Sequence, residues 1–520
     1  MAWWRAAVFA ALFLFGQPGA GAAQDVTLTS PDGAVEITGT LLGYDGEFYR
    51  VDTRYGELTV DGSGVLCDGP GCPNLTDFVA ELALSGSSTM AEVLLPALVE
   101  GFALRNGWQA ARQDQDAAHF TYELSRPETG APVIRFHFRV TNTDEGFADL
   151  LANEADVVMA LREIRPDERR RAREAGMGDM TAPNRSRVLA LDAMVPVVAP
   201  GNPVRAISTP DLARVFAGEI TNWAELGGPD APIALHLPVP GSGLSQAVED
   251  RLMAPAGLRL ADAAITRHRR SSALARAVSA DPFAIGIASF AETGPARMLT
   301  LSGGCGFALA ASRRSIKTED YPLTSPMFLY LPARRLPKVA REFLTYARSP
   351  AAQIVIRRSG FVDQAPERIA LGAQGDRLAN AIAAAGAELP LAELQRMVDL
   401  LRPMTRLTTS FRFEPGSARP DAQSRGNIEA LARAIATGLH DGGELLFVGF
   451  SDGEGSAEAN RRIALRRAEA VRDAVLGAGE PGDAARVTIR VDAFGEAMPM
   501  ACDDSDWGRR VNRRVEVWTR

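Results

Sequence analysis

The 520-residue sequence contains few of the residues that build metal centres and disulfide-rich folds. It has only four cysteines and five histidines, and so few cysteines in a chain of this length exclude a dense disulfide scaffold. The histidines are scattered without the spacing of zinc ligands, so we expect no metal and no cofactor. Lysine is nearly absent too, because Lys317 and Lys338 are the only two.

The sequence also lacks an excess of positive charge and any low-complexity bias. Its formal net charge of -8 argues against a nucleic-acid partner, because binding to phosphates calls for a basic face. With 46% hydrophobic and 23% charged residues, the composition is that of an ordinary globular protein. At about 150 residues per domain, the length predicts three or four domains.

Residues 1–23 have the features of a secretory signal peptide. Arg5 supplies a basic start, AAVFAALFLF is apolar, and small residues at 20–23 suit cleavage. The apolar run is too short to span a bilayer, and no later stretch approaches about 20 uninterrupted apolar residues. We therefore expect a soluble chain exported to the periplasm after cleavage; the alternative is a buried N-terminal helix.

Residues 24–75 predict a small β module. The runs VTLT, VEITGTLL, FYRVDT and GELTV are of β type and are separated by Asp-Gly turns. Cys67 and Cys72 flank a Gly-Pro turn, and no His or third Cys lies nearby, so we predict a disulfide between them rather than a metal site. The pairing of Cys305 and Cys502 stays open.

Residues 76–364 alternate strand-like and helix-like patterns, which predicts an α/β domain with largely parallel sheets and room for two lobes around a cleft. Three turns rich in Gly, Ser and Thr precede helices, at 85–89, 141–146 and 241–243. Because the first amides of a helix are unpaired and attract anions, three such corners favour a shared ligand. Simple helix capping is the alternative at each corner.

Within this region SGSSTM, GFADLLANEADVVMA, FAGEITNWAELGG, GSG and YPLTSPMFLYLP follow one another. Together they resemble the periplasmic phosphate-binding family of ABC-transporter receptors over most of residues 84–362. The resemblance implies a two-lobed fold that closes on phosphate or another small polar or anionic ligand, with an ABC permease as partner. The matching cleft positions are Ser87, Ser88, Thr89, Gly146, Ser242 and Gly243.

The departures from that family concern its anion clamp. Pro238 and Leu244 replace an Arg and a Thr, Leu161 replaces the Ser before Arg162, and Asp144 and Glu145 replace small polar residues. A lost guanidinium removes charge-assisted bonds of roughly 1.5–3 kcal/mol each, and added carboxylates repel a dianion. A different polar ligand, or loss of ligand binding, therefore fits the sequence as well as phosphate does.

Residues 365–403 predict a helical linker, with Leu391, Leu394, Met397, Val398 and Leu401 on one stripe. Gly and Pro interruptions mark it as a connector and a semi-rigid spacer. Residues 404–520 predict a last α/β unit.

In that last unit Asp452 follows a predicted strand, and Asn460 and Arg467 lie two helical turns apart on the next helix. They share a face beside the stripe Ala464, Ala468, Val471 and Val475, which we expect to be buried. Asp452 can approach Arg467 from the loop. The alternative is a surface ion pair plus an Asn near a helix start.

GFSDGEGSAEANRRIALRRAEAVRDAVL, FGEAMP and NRRVEVW resemble the OmpA-like peptidoglycan-binding family over about 407–518. The resemblance implies that Asp452 and Arg467 grip the diaminopimelate of the wall stem peptide, with Asn460 as a further contact. Phe450-Ser451 and Ile463-Ala464 depart from the usual His-Thr and Leu-Ser without removing a charge.

The predicted fold class is therefore a multidomain α/β chain: a small β module, a two-lobed periplasmic-binding-protein fold and a C-terminal OmpA-like α/β domain. The predicted function is a non-catalytic periplasmic solute-binding protein anchored to peptidoglycan. The alternative is a wall-tethering protein whose receptor-like domain has lost its small ligand and docks a protein partner. An enzyme is disfavoured, because no nucleophile elbow or Walker loop occurs.

Overall fold

The computed structural model describes residues 25–75, 78–182, 185–385, 389–414, 416–480 and 482–520. The predicted signal peptide lies outside the described residues. The chain divides into two compact units, one made of residues up to Ala80 together with Arg335–Val339, the other of the rest. As predicted, the chain is a multidomain α/β protein. None of the described helices is long and apolar enough to cross a membrane.

The first unit is a five-stranded antiparallel sheet in the order β4-β3-β2-β1-β5. Its strands are β1 Val26–Thr29, β2 Glu36–Tyr44, β3 Phe48–Thr53, β4 Gly56–Asp61 and β5 Leu66–Asp68. Alternate residues of β1 and β3 form a small core of Val26, Leu28, Tyr49 and Val51. The predicted disulfide between Cys67 and Cys72 is confirmed. It cross-links the chain at the end of β5, which stabilises the module because so small a core gives little stability by itself.

The central part is built on one eleven-stranded sheet in the order β14-β13-β15-β11-β19-β10-β6-β9-β8-β7, with β16 beside β11. Its strands in that sheet are β6 Ala80–Ser87, β7 Gln109–Asp114, β8 His119–Ser125, β9 Pro132–Thr141, β10 Val157–Ala160, β11 Ser186–Val198, β13 Ala234–Pro238, β14 Ile265–His268, β15 Ala284–Ser289, β16 Arg297–Met298 and β19 Thr324–Tyr330. A separate small sheet contains β12 Ala206–Ser208, β17 Thr300–Ser302 and β18 Ala308–Leu309.

Helices cover this sheet. They are α1 Leu95–Asn106, α2 Thr143–Leu151, α3 Pro166–Glu174, α4 Thr209–Phe216, α5 Gly243–Val248, α6 Ala254–Ala256, α7 Ser271–Ala280, α8 Arg313–Lys317, α9 Lys338–Tyr346 and α10 Pro350–Arg358. Two π-helical turns, Met90–Leu94 and Glu249–Met253, continue into α1 and α6. The larger core collects around β11, β15 and their covering helices, with Trp223 and Phe216 among its fully buried side chains.

The expectation of a largely parallel sheet is wrong for this part. The pairs β6 with β10, β13 with β14 and β13 with β15 are parallel, but β7, β8 and β9 form an antiparallel meander. Strand β11 is antiparallel to both β19 and β15. Hairpins replace crossover helices in the meander, and β11 is long enough to run from one lobe into the other, so the sheet is mixed.

The C-terminal part has a five-stranded sheet in the order β20-β21-β24-β22-β23. Its elements are β20 Arg368–Ala370, α11 Gly375–Ala384, α12 Leu391–Leu401, β21 Thr405–Phe411, α13 Ala422–Ala436, β22 Glu444–Phe450, α14 Ala457–Ala478, β23 Thr488–Gly495, α15 Asp506–Asn512 and β24 Arg514–Thr519. The expected buried stripe of α14, from Ala464 to Val475, is confirmed.

The segment 365–403 is helical as predicted, but it is not a free spacer. Strand β20 pairs with β21 at the sheet edge, and α12 packs its Leu394, Met397 and Leu401 against Phe450 and Trp518. The physical reason lies in β22, whose seven residues are all buried. A strand that is apolar on both faces needs a second covering layer, and α11 and α12 supply it.

The central and C-terminal parts are joined by a disulfide between Cys305 and Cys502, which settles the pairing that the sequence left open. The contact around it is polar and buried. Arg406 on β21 donates to both oxygens of Asp320 at 2.9 and 3.3 Å, and Arg412 reaches the same carboxylate at 3.0 Å. All three residues are at most 5% exposed. Glu516 on β24 extends the cluster to Arg377 and Arg514 at 2.5 and 2.7 Å.

Asp320→Asn is expected to lower the free energy of unfolding by about 3–5 kcal/mol, because it removes the counter-charge of buried Arg412 and one of the two carboxylates beside buried Arg406, which keeps Glu516 at 3.3 Å. The measurement is urea unfolding of residues 25–520 with both disulfides intact. Although burial opposes it, Arg406 and Arg412 hold the pKa of Asp320 below its usual range. The stability it contributes is therefore full above about pH 5 and lost as the pH falls towards 2.

The matched control is Asp473→Asn, since the Asp473 side chain is 63% exposed and pairs, among the described residues, with its half-buried neighbour Arg472 alone. We expect a change within about 0.5 kcal/mol. The Asp320→Asn chain should also lose less stability than wild type between pH 5 and 2. Equal effects of the two substitutions would show that the junction does not carry the stability assigned to it.

Candidate binding sites

The first candidate site lies at the end of β6, where the sheet turns into the π-helical turn before α1. Gly86 has φ +134°, and a Cβ there would collide with the carbonyl oxygen of Met159 on β10, so the close pairing of the two strands requires glycine. Ser85 donates a 2.5 Å hydrogen bond to Asp149. Ser87 is fully buried, and its hydroxyl has no hydrogen-bond partner among the described residues.

The corner at 241–243, which belongs to the other lobe, lies directly against the corner at 85–89. Ser242 caps α5 by accepting from the Ser245 amide at 3.3 Å, and a Cβ on Gly243 would lie 2.6 Å from the Ser87 hydroxyl. Gly146, at the start of α2, packs closely in the same way: a Cβ built on it would lie 2.9 Å from the carbonyl oxygen of Ser85. The structure thus brings the three predicted corners together.

Little space is left between them. Ser88, Thr89, Ser242, Pro238 and Leu244 line a cavity of about 20 Å³. That volume holds roughly one water molecule. The closed cleft is therefore smaller than a tetrahedral oxyanion requires.

Side-chain contacts across the cleft hold the lobes in this arrangement. Asn142, the N-cap of α2, donates to the Gly241 carbonyl at 3.0 Å. The first amide of α2, that of Thr143, donates to the Gln246 side chain at 3.1 Å. The helix terminus predicted to receive an anion is thus partly satisfied by the opposite lobe.

Arg162 is held by carboxylates of the chain itself. It pairs with Asp144, with Glu168 at 2.6 Å and with Asp250 of the other lobe at 3.7 Å. Arg165 spans Asp144 and Asp250 at 3.0 and 2.9 Å. Burial works against it, but Glu168 and Asp144 raise the pKa of Arg162 above its usual value. Asp144, which departs from the family pattern, therefore pairs with Arg162, the arginine that the sequence shares with that pattern.

The second candidate site lies where β22 ends. Asp452 is 9% exposed, and its Oδ2 accepts from Arg513 at 2.6 Å rather than from Arg467. Asp503 holds the same loop by accepting from the Gly453 amide at 2.8 Å. Arg513 positions Asp452, and the sequence interpretation did not single it out, although it lies in the stretch NRRVEVW.

Arg467 on α14 is half-buried beside Asp452. Its guanidinium carbon lies 5.2 Å from the ring centre of Phe413, and within the described part of the chain it has no hydrogen bond or ion pair. Burial first, and then the neighbouring Arg513, lower the pKa of Arg467, while Asp452 opposes the shift. A carboxylate and an unpaired guanidinium therefore share one small region.

Asn460 is the third predicted residue of this site, and it is buried at the start of α14. Its side-chain amide donates to Glu496 at 2.5 Å, which fixes its orientation. Sequence reasoning missed Glu496, although it lies in the quoted FGEAMP. Across the described residues, no group of three or more His, Cys, Asp or Glu side chains is placed to hold a metal ion.

The contact between the Thr143 amide of α2 and the Gln246 side chain of the other lobe can be tested by substitution. Gln246→Ala is expected to speed hydrogen exchange at the Thr143 amide about tenfold or more, because that amide loses its acceptor. Residue-resolved exchange by mass spectrometry or NMR measures this. Gln113→Ala on the exposed strand β7 is the control and should leave the amide unchanged. Unaltered exchange in Gln246→Ala would show that the contact does not hold the lobes together.

Comparison with known proteins assigns both parts. The PBP superfamily domain matches residues 76–351, more than half of the chain, and the OmpA family matches residues 412–513. Protein SphX of Synechococcus elongatus is 27% identical over 235 residues, 43% of this chain and 67% of that protein. The probable lipoprotein YiaD of Escherichia coli is 36% identical over 70 residues, 14% of this chain and only 30% of YiaD.

Among solved structures, an ABC-type phosphate transport receptor from Vibrio cholerae has 20% identity and a TM-score of 0.41, covering 54% of this chain and 99% of that one.

Proposed function

This chain belongs to the PBP superfamily and carries an OmpA family domain, and on that premise we propose that it is a non-catalytic periplasmic protein anchored to peptidoglycan. The OmpA-like domain binds the diaminopimelate stem peptide through Asp452 and Arg467, with Asn460 as a further contact. The observation that carries the proposal is the half-buried Arg467 guanidinium, which no ion pair or hydrogen bond of the described residues occupies, beside the Asp452 carboxylate.

The chemistry of the stem peptide matches that pair. The free end of diaminopimelate carries an ammonium and a carboxylate on the same carbon, so a binder needs an anion and a cation close together and partly shielded from water. Asp452 uses one oxygen for Arg513, and its Oδ1 accepts no hydrogen bond from the described residues, while Arg467 offers a guanidinium for a bidentate carboxylate contact. Glu496 orients Asn460 beside them.

Asp452→Ala and Arg467→Ala are each expected to weaken wall binding about 10- to 100-fold, because each removes charge-assisted bonds of roughly 1.5–3 kcal/mol. Co-sedimentation of the mature full-length chain with diaminopimelate-type sacculi measures this. The full chain is required, because a fragment beginning at residue 404 lacks α11 and α12 and exposes the core around Trp518.

Arg466→Ala supplies the control, since Arg466 is the exposed neighbour of Arg467 on the same helix. It should sediment like wild type. Sacculi cross-linked through lysine instead of diaminopimelate should retain neither protein. Wild-type sedimentation of a folded Asp452→Ala, Arg467→Ala double variant would contradict the assigned site.

The cleft supports a second, separate proposal. We infer that Ser87, Ser88, Thr89, Gly146, Ser242 and Gly243 do not hold phosphate tightly. Internal carboxylates occupy Arg162, and the cavity is close to the size of one water molecule. This favours the wall-tethering alternative over a phosphate receptor that delivers its ligand to a permease. Another small polar ligand that opens the lobes stays compatible with the buried, unpaired Ser87 hydroxyl.

Calorimetric titration of the mature chain with phosphate is expected to show no submicromolar binding. Asp144→Ser with Asp250→Ser should tighten phosphate binding about tenfold or more, because it frees Arg165 and removes two of the carboxylates that pair with Arg162. The control is Asp167→Ser, at a 71% exposed side chain paired with Arg170. Submicromolar phosphate binding by the wild-type chain would contradict the inference.

A further inference from the structure

A cavity of about 230 Å³ lies where the central part meets the C-terminal part. Its walls come from both sides of the junction. Arg251 lies within the π-helical turn Glu249–Met253 of the central part, and Glu319 precedes β19, whereas Asp421, Trp507 and Arg510 belong to the C-terminal part. Arg162, which pairs with Asp144 beside the cleft, also lines this cavity, whereas no residue of the Asp452 site does.

Two guanidiniums face this space without a partner. Within the described residues, the side chains of Arg251 and Arg510 make no hydrogen bond and no ion pair. Arg510 is exposed at the mouth, whereas Arg251 is half-buried. Their neighbour Arg412 differs, because it is bound to Asp320 and to the carbonyl oxygens of Thr318, Glu319 and Val511. Two of the arginines that line the cavity, Arg251 and Arg510, therefore have no hydrogen-bond partner among the described residues, whereas Arg412 in the buried junction is bound.

Glu319 lies in the same wall in an unusual state. It has φ +55°, which is uncommon for a residue other than glycine. Its Oε1 is shielded from solvent and accepts no hydrogen bond. Burial, with Asp421 adding to it, raises the pKa of Glu319 to about 8. At neutral pH this side chain is therefore an uncharged carboxylic acid with a proton to donate.

Among the described residues, the nearby carboxylates make no close ion pair with the two arginines, although Asp421 and Glu163 favour the charged form of Arg251. Asp421 caps α13 by accepting from the Ser424 amide at 2.9 Å. Glu163 accepts from the Ala422 amide at 2.8 Å and approaches Arg425 at 3.6 Å. Both are turned towards the start of α13. Opposite them, Tyr321, Phe328, Trp507 and Val511 give the cavity apolar walls.

From this arrangement we propose that the cavity binds a small monocarboxylate with an apolar body. The carboxylate lies between the guanidiniums of Arg251 and Arg510 and accepts a hydrogen bond from the Glu319 carboxyl group, while the apolar body packs against the aromatic wall. A cavity of about 150 Å³ accommodates benzene, so 230 Å³ accommodates a ring with a carboxylate. Because both parts supply walls, a bound molecule also bridges the junction.

The test uses the mature full-length chain and two probes, 4-fluorobenzoate and 4-fluorophenylacetate, followed by fluorine NMR line broadening. We expect binding of at least one probe to wild type and about tenfold or greater weakening in Arg251→Gln and in Arg510→Gln. Arg510→Gln changes an exposed side chain, so it keeps the test decisive if Arg251→Gln fails to fold. Arg276→Gln, at an exposed position on α7, is the matched control and should bind like wild type.

A pH series adds a readout that a purely structural role would not move. Glu319 faces the carboxylates of Asp320 and Asp421 and the guanidiniums of Arg251 and Arg412, with Glu163 and Arg510 elsewhere on the wall. As the pH rises through about 8, Glu319 ionises and repels the probe. Wild-type affinity should fall there, and that of Glu319→Gln should stay level.

Failure of both probes to bind wild type overturns the proposal, as does binding that survives Arg251→Gln and Arg510→Gln. Displacement of a bound probe by equimolar inorganic phosphate would also overturn it, since that result assigns an oxyanion site instead. Wall binding does not enter these measurements, so their outcome is independent of the Asp452 site.

Discussion

The buried contact of Asp320 with Arg406 and Arg412 is the interaction on which the arrangement of the central and C-terminal parts depends. A carboxylate of the central part lies between two guanidiniums of the C-terminal sheet, almost without water. Burying these charges costs several kcal/mol per ion, and only a fixed geometry repays that cost. The junction therefore admits one orientation, and the disulfide between Cys305 and Cys502 fastens the same contact covalently. If the C-terminal domain binds to a surface, the fixed junction therefore also sets the orientation of the two lobes relative to that surface.

The same balance of charges has the opposite effect in the cleft. At the junction, carboxylates join two domains; between the lobes, Asp144 and Asp250 pair with the guanidiniums of Arg162 and Arg165. An external anion must then compete with carboxylates that are already in place and that cost no translational entropy. Gln246 adds to this by satisfying the Thr143 amide from the other lobe. A binding fold is thus retained while its closed form is stabilised by its own side chains.

Local patterns and family motifs in the sequence predicted much of this. The fold class, the disulfide between Cys67 and Cys72 and the buried stripe of α14 are confirmed, because each depends on residues close together in sequence. Contacts between distant residues were not readable. Nothing near Thr143 indicates Gln246, and nothing near Asp452 shows that Arg513 rather than Arg467 would hold it. The stripe of α12 was recognised, but whether it covers a sheet depends on β22 being apolar on both faces.

The packing of α11 and α12 bears directly on how such a chain can act. A transport receptor carries its ligand to a permease by diffusion, and a tethered receptor needs a flexible spacer to retain some of that freedom. Here the segment expected to be the spacer is part of the sheet and its covering layer, and a disulfide and buried ion pairs close the junction beyond it. Anchoring the C-terminal domain would therefore hold the central domain at the wall as well. Function in place, through a partner or a small molecule that comes to the protein, agrees better with this construction than shuttling does.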